Sequence, residues 1–352
     1  MAKVETPPAA PARPIDVRSL RDRVNFAWTY IFLVLLGLIA IFSVWHGEKF
    51  FDATNFRNIA LDASQLMLLA VGMTFVIITT GIDLSVSSVL VFSAIVGAKV
   101  MSRFSGSPEE VRQYVFPNQE VGIPIGLVAA VLCGLGWGII NGLLITRLRL
   151  PPFIVTLGTL GMALGLAQII SNGQSVTGVP YDVQKYVGAR RILGDHVPIL
   201  VLVTAVVVAC AVVALTMTQF GRYTFAIGSN AAAARRAGID VDRHLLKVYA
   251  LSGFLAGLAG AMDVARFATA SVVTHSADNL NAISAVVIGG TSLFGGVGSI
   301  IGSVVGAFIP AVLRTGLIIG GVDPFWQQVL IGAVLVGAVY IDQRRRKADE
   351  KL

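Results

Sequence analysis

The chain has 352 residues, 55% of them hydrophobic before its 37 glycines are counted, and only 13% are charged. Soluble domains average about 45–50% apolar with glycine included and about 25% charged. With a mean hydropathy of +0.78, the composition excludes a soluble enzyme, a disordered chain and a disulfide scaffold, and the continuous, non-alternating apolar runs exclude a transmembrane β-barrel.

The expected fold is therefore an all-α polytopic membrane protein. Residues 1–26 carry five cations and prolines 7, 8, 11 and 14, which predicts a disordered cytoplasmic tail. A crossing helix needs about 20 residues for a hydrocarbon core of about 30 Å. The first span is expected from Ala27 to Val44, with no small-residue cleavage site after it that would mark a leader. Ile59–Met101 is too long for one helix and is interrupted by Gly81-Ile82-Asp83-Leu84-Ser85, so two segments are expected around a break. After a polar stretch, 102–121, come Ile123–Thr146, Phe153–Ile170, Pro198–Met217, Val248–Ala265, Ala282–Gly290, Ser299–Ile319 and Phe325–Ile341. This makes about ten transmembrane segments in a domain over 27–342, with broken or re-entrant pieces, closed by a basic cytoplasmic tail at 343–352. The segment before Gly290 is short for a full crossing.

The cations set direction. Arg147 and Arg149, then Arg222, Arg235, Arg236, Arg243 and Lys247, then Arg344–Lys347 all fall on the N-terminal side if the spans alternate, whereas 267–298 and 315–343 contain no Lys or Arg. The positive-inside rule then puts both termini in the cytoplasm, with Lys185, Arg190 and Arg191 as exceptions in a long far-side loop. The same placement at segment ends explains the net charge of +7 without a nucleic-acid partner.

Three glycine ladders at spacing four (134/138/142, 161/165 and 298/302/306) predict close helix contact. Ile77–Ala98 and Val286–Ala307 align without a gap, Gly81 on Gly290 and Val96-Gly97-Ala98 on Val305-Gly306-Ala307. Glycine-interrupted segments in corresponding positions point to a transport site. Asp83 has two readings: a cap opening the next helix, or a pathway carboxylate, since a charge in lipid costs several kcal/mol and must face water or a partner. Gln65, Ser85, Asn141, Thr156, Thr159, Gln168 and Asn281 offer amides and hydroxyls that match sugar hydroxyls without charge, and Phe153, Phe294 and Trp326 offer apolar faces. No intramembrane chain of Asp, Glu and His is evident, which argues against a proton pump. The four histidines follow no ligand spacing, so no metal is expected, and Cys133 and Cys210 read as small hydrophobes.

The loop 219–247 reads as a cytoplasmic elbow. Ser229 or Asn230 can cap a short helix, Ala231–Arg236, that ends at Gly238, and Asp240 opens the next one. It has two occupants in prospect, anionic membrane lipid or a cleft on a soluble partner. None of the seven lysines follows a glycine, so the G-x-x-x-x-G-K-[ST] phosphate loop is absent; ATP and Mg, if used, are bound by another chain.

Four blocks then resemble the ribose-type sugar permease subunit of bacterial ATP-binding-cassette importers: Gly72–Ser93 with G-I-D-L-S, Asn141–Thr159 with P-P-F-I-V-T-L-G-T, Gly221–Gly260, and Asn281–Gln328. The resemblance spans about 55–342. It implies a type II-like importer fold in the bacterial inner membrane and a non-catalytic subunit that lines the pathway as a homodimer. It also implies an outer sugar-binding protein and a cytoplasmic ATPase with two nucleotide sites. On this view Gly228, Ser229, Asn230, Arg235, Arg236, Ala237 and Gly238 form the coupling helix, and 102–122, 171–197 and 267–280 receive the binding protein. The sequence departs from the family pattern at Ser87, where glycine is common, and at Ala231-Ala232 and Asn279-Leu280-Asn281, where acidic residues are common, which leaves the sugar open. A nucleoside or branched-chain amino-acid permease of the same superfamily is the alternative.

Overall fold

The computed structural model describes residues 17–323 apart from Leu193 and Asp195, with scattered positions between 326 and 340. The expected span Phe325–Ile341 and both chain ends lie largely outside the described residues. In order, the helices are α1 (Val17–His46), α2 (Ala53–Ile78), α3 (Val86–Ser105), the short α4 (Pro108–Arg112), α5 (Gln119–Arg147), α6 (Pro152–Ser171), α7 (Ile199–Met217), α8 (Gln219–Arg236), α9 (Val241–Phe267), α10 (Asp278–Ile288) and α11 (Ile300–Ile319). The only strands among the described residues, β1 (Arg191–Ile192) and β2 (Val197–Pro198), form a two-residue antiparallel pair. Eight of the helices are long and apolar enough to cross a membrane; α10, with 11 residues, is not. The fold is an all-α membrane bundle.

One boundary needs correction. Residues 17–26, expected to be disordered, begin α1, because nothing after Pro14 interrupts a helix. The break at 79–85 separates two complete helices: α2 ends at Ile78, Thr80 takes a left-handed φ of 64°, and α3 starts at Val86.

Glycine decides the packing at the centre. A Cβ on Gly134 would lie 2.5 Å from the Gly257 nitrogen, and one on Gly253 the same distance from the Gly138 nitrogen. Here α5 and α9 therefore touch backbone to backbone, which small residues alone permit. Gly302 and Gly306 do the same for α11 against Gly289 and Ala285 of α10. The 161/165 ladder differs: a Cβ on Gly161 or Gly165, or on Gly158 beside them on α6, would meet no other element within 4 Å among the described residues.

The two interrupted segments meet. Gly296 donates its N–H to the Ile78 carbonyl (2.9 Å), and Thr74 on α2 shares a hydrogen bond with Ser303 on α11 (2.7 Å). These contacts run α2 against α11, and Gly289–Gly302 and Ala285–Gly306 run α10 against α11, so α2 and α10 point the same way.

Candidate functional site

Three places on the bundle hold the polar chemistry. The first lies inside, where the 79–85 turn meets α5 and α9. Asp83 is 2% exposed. One of its oxygens accepts from the Ser85 amide (3.0 Å) and hydroxyl (2.6 Å), the other from Ser252 (2.9 Å). Asn141 donates to the Ser85 hydroxyl (2.9 Å), and Thr156 donates to the Ile82 carbonyl (3.0 Å). The capping geometry and a link to two distant helices coexist at Asp83. Asn141 Oδ1 and the Tyr249 hydroxyl are buried without a hydrogen-bond partner. Gly81 is the residue that leaves room for that hydroxyl.

The other residues singled out from sequence are not gathered there. Phe153, half exposed, starts α6; Gln168 is exposed on the same helix; Phe294 is exposed in the 289–299 loop. Asn281 belongs to the second place, which sequence reasoning missed.

That second place lies farther along α9, eleven residues past Ser252 at Asp263, or about 16 Å of helix. His275 bridges two carboxylates, with Nε2 at 3.0 Å from Asp263 and Nδ1 at 2.6 Å from Asp278. Gln65 donates to Asp263 (3.3 Å), Asn281 donates to Asp278 (3.1 Å), and Arg266 pairs with Asp62 (2.6 Å). The expectation that no Asp–His chain exists is thus corrected: a 12-residue separation between Asp263 and His275 closes because the chain turns back after α9, with Ala268 in the left-handed region (φ 50°). The signal available in the sequence was Asp263 itself, a carboxylate inside the Val248–Ala265 apolar run. Burial opposes a charge on His275, but hydrogen bonds and charges of Asp263 and Asp278 outweigh it and push its pKa up to about 10.

The third place is the basic end, where α5 stops at Arg147 and α8 bends. Asn230 leaves helical geometry (φ −163°, ψ 99°), and its side chain accepts from Ala233 N (2.9 Å), so it is the cap of the expected short helix. Gly238 (φ 87°) ends it, and Ile239 N bonds back to Ala234 O (3.1 Å). Asp240 caps α9 through Arg243 N (3.0 Å). Arg235 pairs with Asp242 (2.6 Å), while Arg236 and Ala237 are exposed. Ile227, Ala234 and Val241 form a small core under the elbow. Gly228 lies against the Ile78 carbonyl and the Gly296 nitrogen, and Ser229 against Gly296, so the elbow rests on both interrupted segments.

At the opposite end, the three long loops come together. Val176 and Ala270 exchange backbone hydrogen bonds (2.8 and 3.0 Å), Gln119 donates to Asp182 (2.7 Å), Gln184 donates to the Arg266 carbonyl (2.7 Å), and Ser102 donates to the Gly178 carbonyl.

Interrupted segments around buried polar clusters, among eight apolar spans in the described residues, are the arrangement of a membrane transport protein. The chain belongs to the family described as branched-chain amino acid transport system, permease component, which matches residues 55–339. It is 36% identical over 326 residues to the fructose import permease protein of Rhizobium meliloti, covering 90% of this chain and 85% of that one. It is 36% identical over 317 residues to the ribose import permease protein of Escherichia coli strain K12, covering 89% and 93%. The galactose/methyl galactoside import permease protein of the same strain is 33% identical over 318 residues, at 89% and 93% coverage. No solved structure matches the chain. The relatives bear out the resemblance to ribose-type sugar permeases.

Proposed function

We propose that this chain is the membrane subunit of an ATP-driven importer for a monosaccharide. Two copies enclose the pathway in the bacterial inner membrane, with both termini cytoplasmic. A separate ATPase with two nucleotide sites binds ATP and Mg and docks on the elbow from Gly228 to Gly238. An outer sugar-binding protein docks on the joined loops 102–122, 171–197 and 267–280. No covalent chemistry takes place in this chain; ATP and the docked proteins supply the differential free energy between states.

The observation that carries this reading is the seat of the elbow. Because Gly228 and Ser229 pack on Ile78 and Gly296, a pull on the exposed Arg235–Arg236 helix reaches both interrupted segments directly. The names of the sugar permeases support the substrate class, and the exposed glycine face of α6 supports pairing of two copies.

The family's own description favours a second reading, import of a branched-chain amino acid. Proteoliposomes holding the chain with its ATPase and binding protein decide between them. ATP-dependent accumulation of one labelled monosaccharide, uncompeted by leucine, is expected; accumulation of leucine instead overturns the sugar reading.

A further inference from the structure

His275 and Asp278 of the Asp263–His275–Asp278 cluster border a cavity of about 200 Å³. Its walls come from α2, α9, α10 and α11 and the loop before α10. Four features point to a ligand. First, Asn281 keeps one oxygen buried with no partner. Second, Arg314 lines the cavity and makes no ion pair among the described residues, although the Asp278 carboxylate feels its charge. Third, Phe267, 47% exposed, lines the space, with the Arg266 guanidinium over one face of its ring (4.9 Å) and the other left for a ligand. Fourth, both carboxylates that line the space are already engaged, Asp62 with Arg266 and Asp278 with His275. The wall offers donors and acceptors in several directions beside an apolar face, the pattern that a polyhydroxylated ring satisfies.

We propose that this cavity is a transit site for the sugar, at the end of the bundle away from the elbow, with Asn281, Gln65 and Arg314 contacting its hydroxyls and Phe267 covering its apolar face. The proposal rests on the sugar-importer reading and adds a location to it. The inner Asp83 cluster is separate, lying about 16 Å away along α9.

Thiol protection in the assembled transporter tests it. Cys133 and Cys210, both free, are replaced by serine. Single cysteines are then placed at Thr274 (T274C) and Asn281 (N281C), which line the cavity, and at the neighbouring exposed Val273 (V273C), which does not. A charged, membrane-impermeant methanethiosulfonate reagent is applied with D-ribose, D-fructose, D-galactose or leucine, and uptake of each is measured on the same vesicles. The expected result is that the imported sugar slows labelling of T274C about fivefold, and of N281C if that variant assembles. V273C labelling stays unchanged and leucine has no effect. If a sugar is imported yet leaves T274C labelling unchanged, the transit site is wrong while the importer reading stands. If none of the sugars is imported and leucine is, both fall.

Discussion

Asp83 accepts three hydrogen bonds from two serines and has no cation partner among the described residues. Replacing it by alanine strands the Ser85 and Ser252 donors, at about 1–3 kcal/mol for each buried group left unpaired. Sugar uptake by D83A is expected to fall several-fold while its amount in the membrane changes little; wild-type uptake would leave Asp83 a cap and nothing more. His275 carries a prediction in pH. Its pKa rises from 6.5 to about 10 in the folded protein, so the folded state holds its proton more tightly than the unfolded one. The stabilisation is full below about pH 6.5 and is lost as pH rises through about 10. The groups facing it are Asp263 of α9 and Asp278 of α10, with Arg314 of α11 and Gln65 of α2 beside them. Melting temperature measured from pH 7 to 10 should fall for the natural chain and fall less for H275Q, which starts lower.

At the scale of elements, the elbow is built from two small devices, the Asn230 cap and the Gly238 turn. N230A removes a cap worth about 1 kcal/mol, and a β-branched residue at Gly238 is forced into a left-handed conformation that costs about 1–2 kcal/mol. Neither touches the spans. The expected outcome for G238V, or for acidic replacement of Arg235 together with Gly238, is an intact bundle whose partner ATPase no longer responds to loaded binding protein; full transport would refute the coupling role. The glycine seam between α5 and α9 behaves oppositely. G253L drives a side chain into the Gly134 and Gly138 backbone; overpacking typically costs about 1–3 kcal/mol. Loss of folded protein in a detergent melting assay is the expected result.

For the whole molecule, the open glycine face of α6 is the informative surface. Gly158, Gly161 and Gly165 meet no other element among the described residues, and large apolar neighbours, Leu157, Met162 and Ile169, are exposed around them. On the proposed pairing of two copies, the natural chain should run as a dimer on native mass measurement, and G161L should leave the helical content unchanged and run as a monomer. A dimer that survives G161L moves the pairing surface elsewhere.

The spans were legible in the sequence because their signal is local: about 20 apolar residues and cations at the ends are properties of a single segment. The elbow was legible for the same reason, since caps and C-terminal glycines act within a turn; Asn230 and Gly238 sit where their chemistry requires. Asp83, Ser85 and Asn141 were singled out one by one as polar groups in apolar runs, but only the fold brought them together. The Asp263–His275–Asp278 cluster escaped because its members are spaced irregularly and belong to two helices and a loop. Their proximity comes from a left-handed turn at Ala268 and from α10 folding back, not from any period. Likewise, spacing four told that glycines form ladders, but not which ladder is consumed inside the chain and which is left facing out. Segment identity follows from solvation, which each residue feels alone; partnership between segments follows from geometry, which no residue carries by itself.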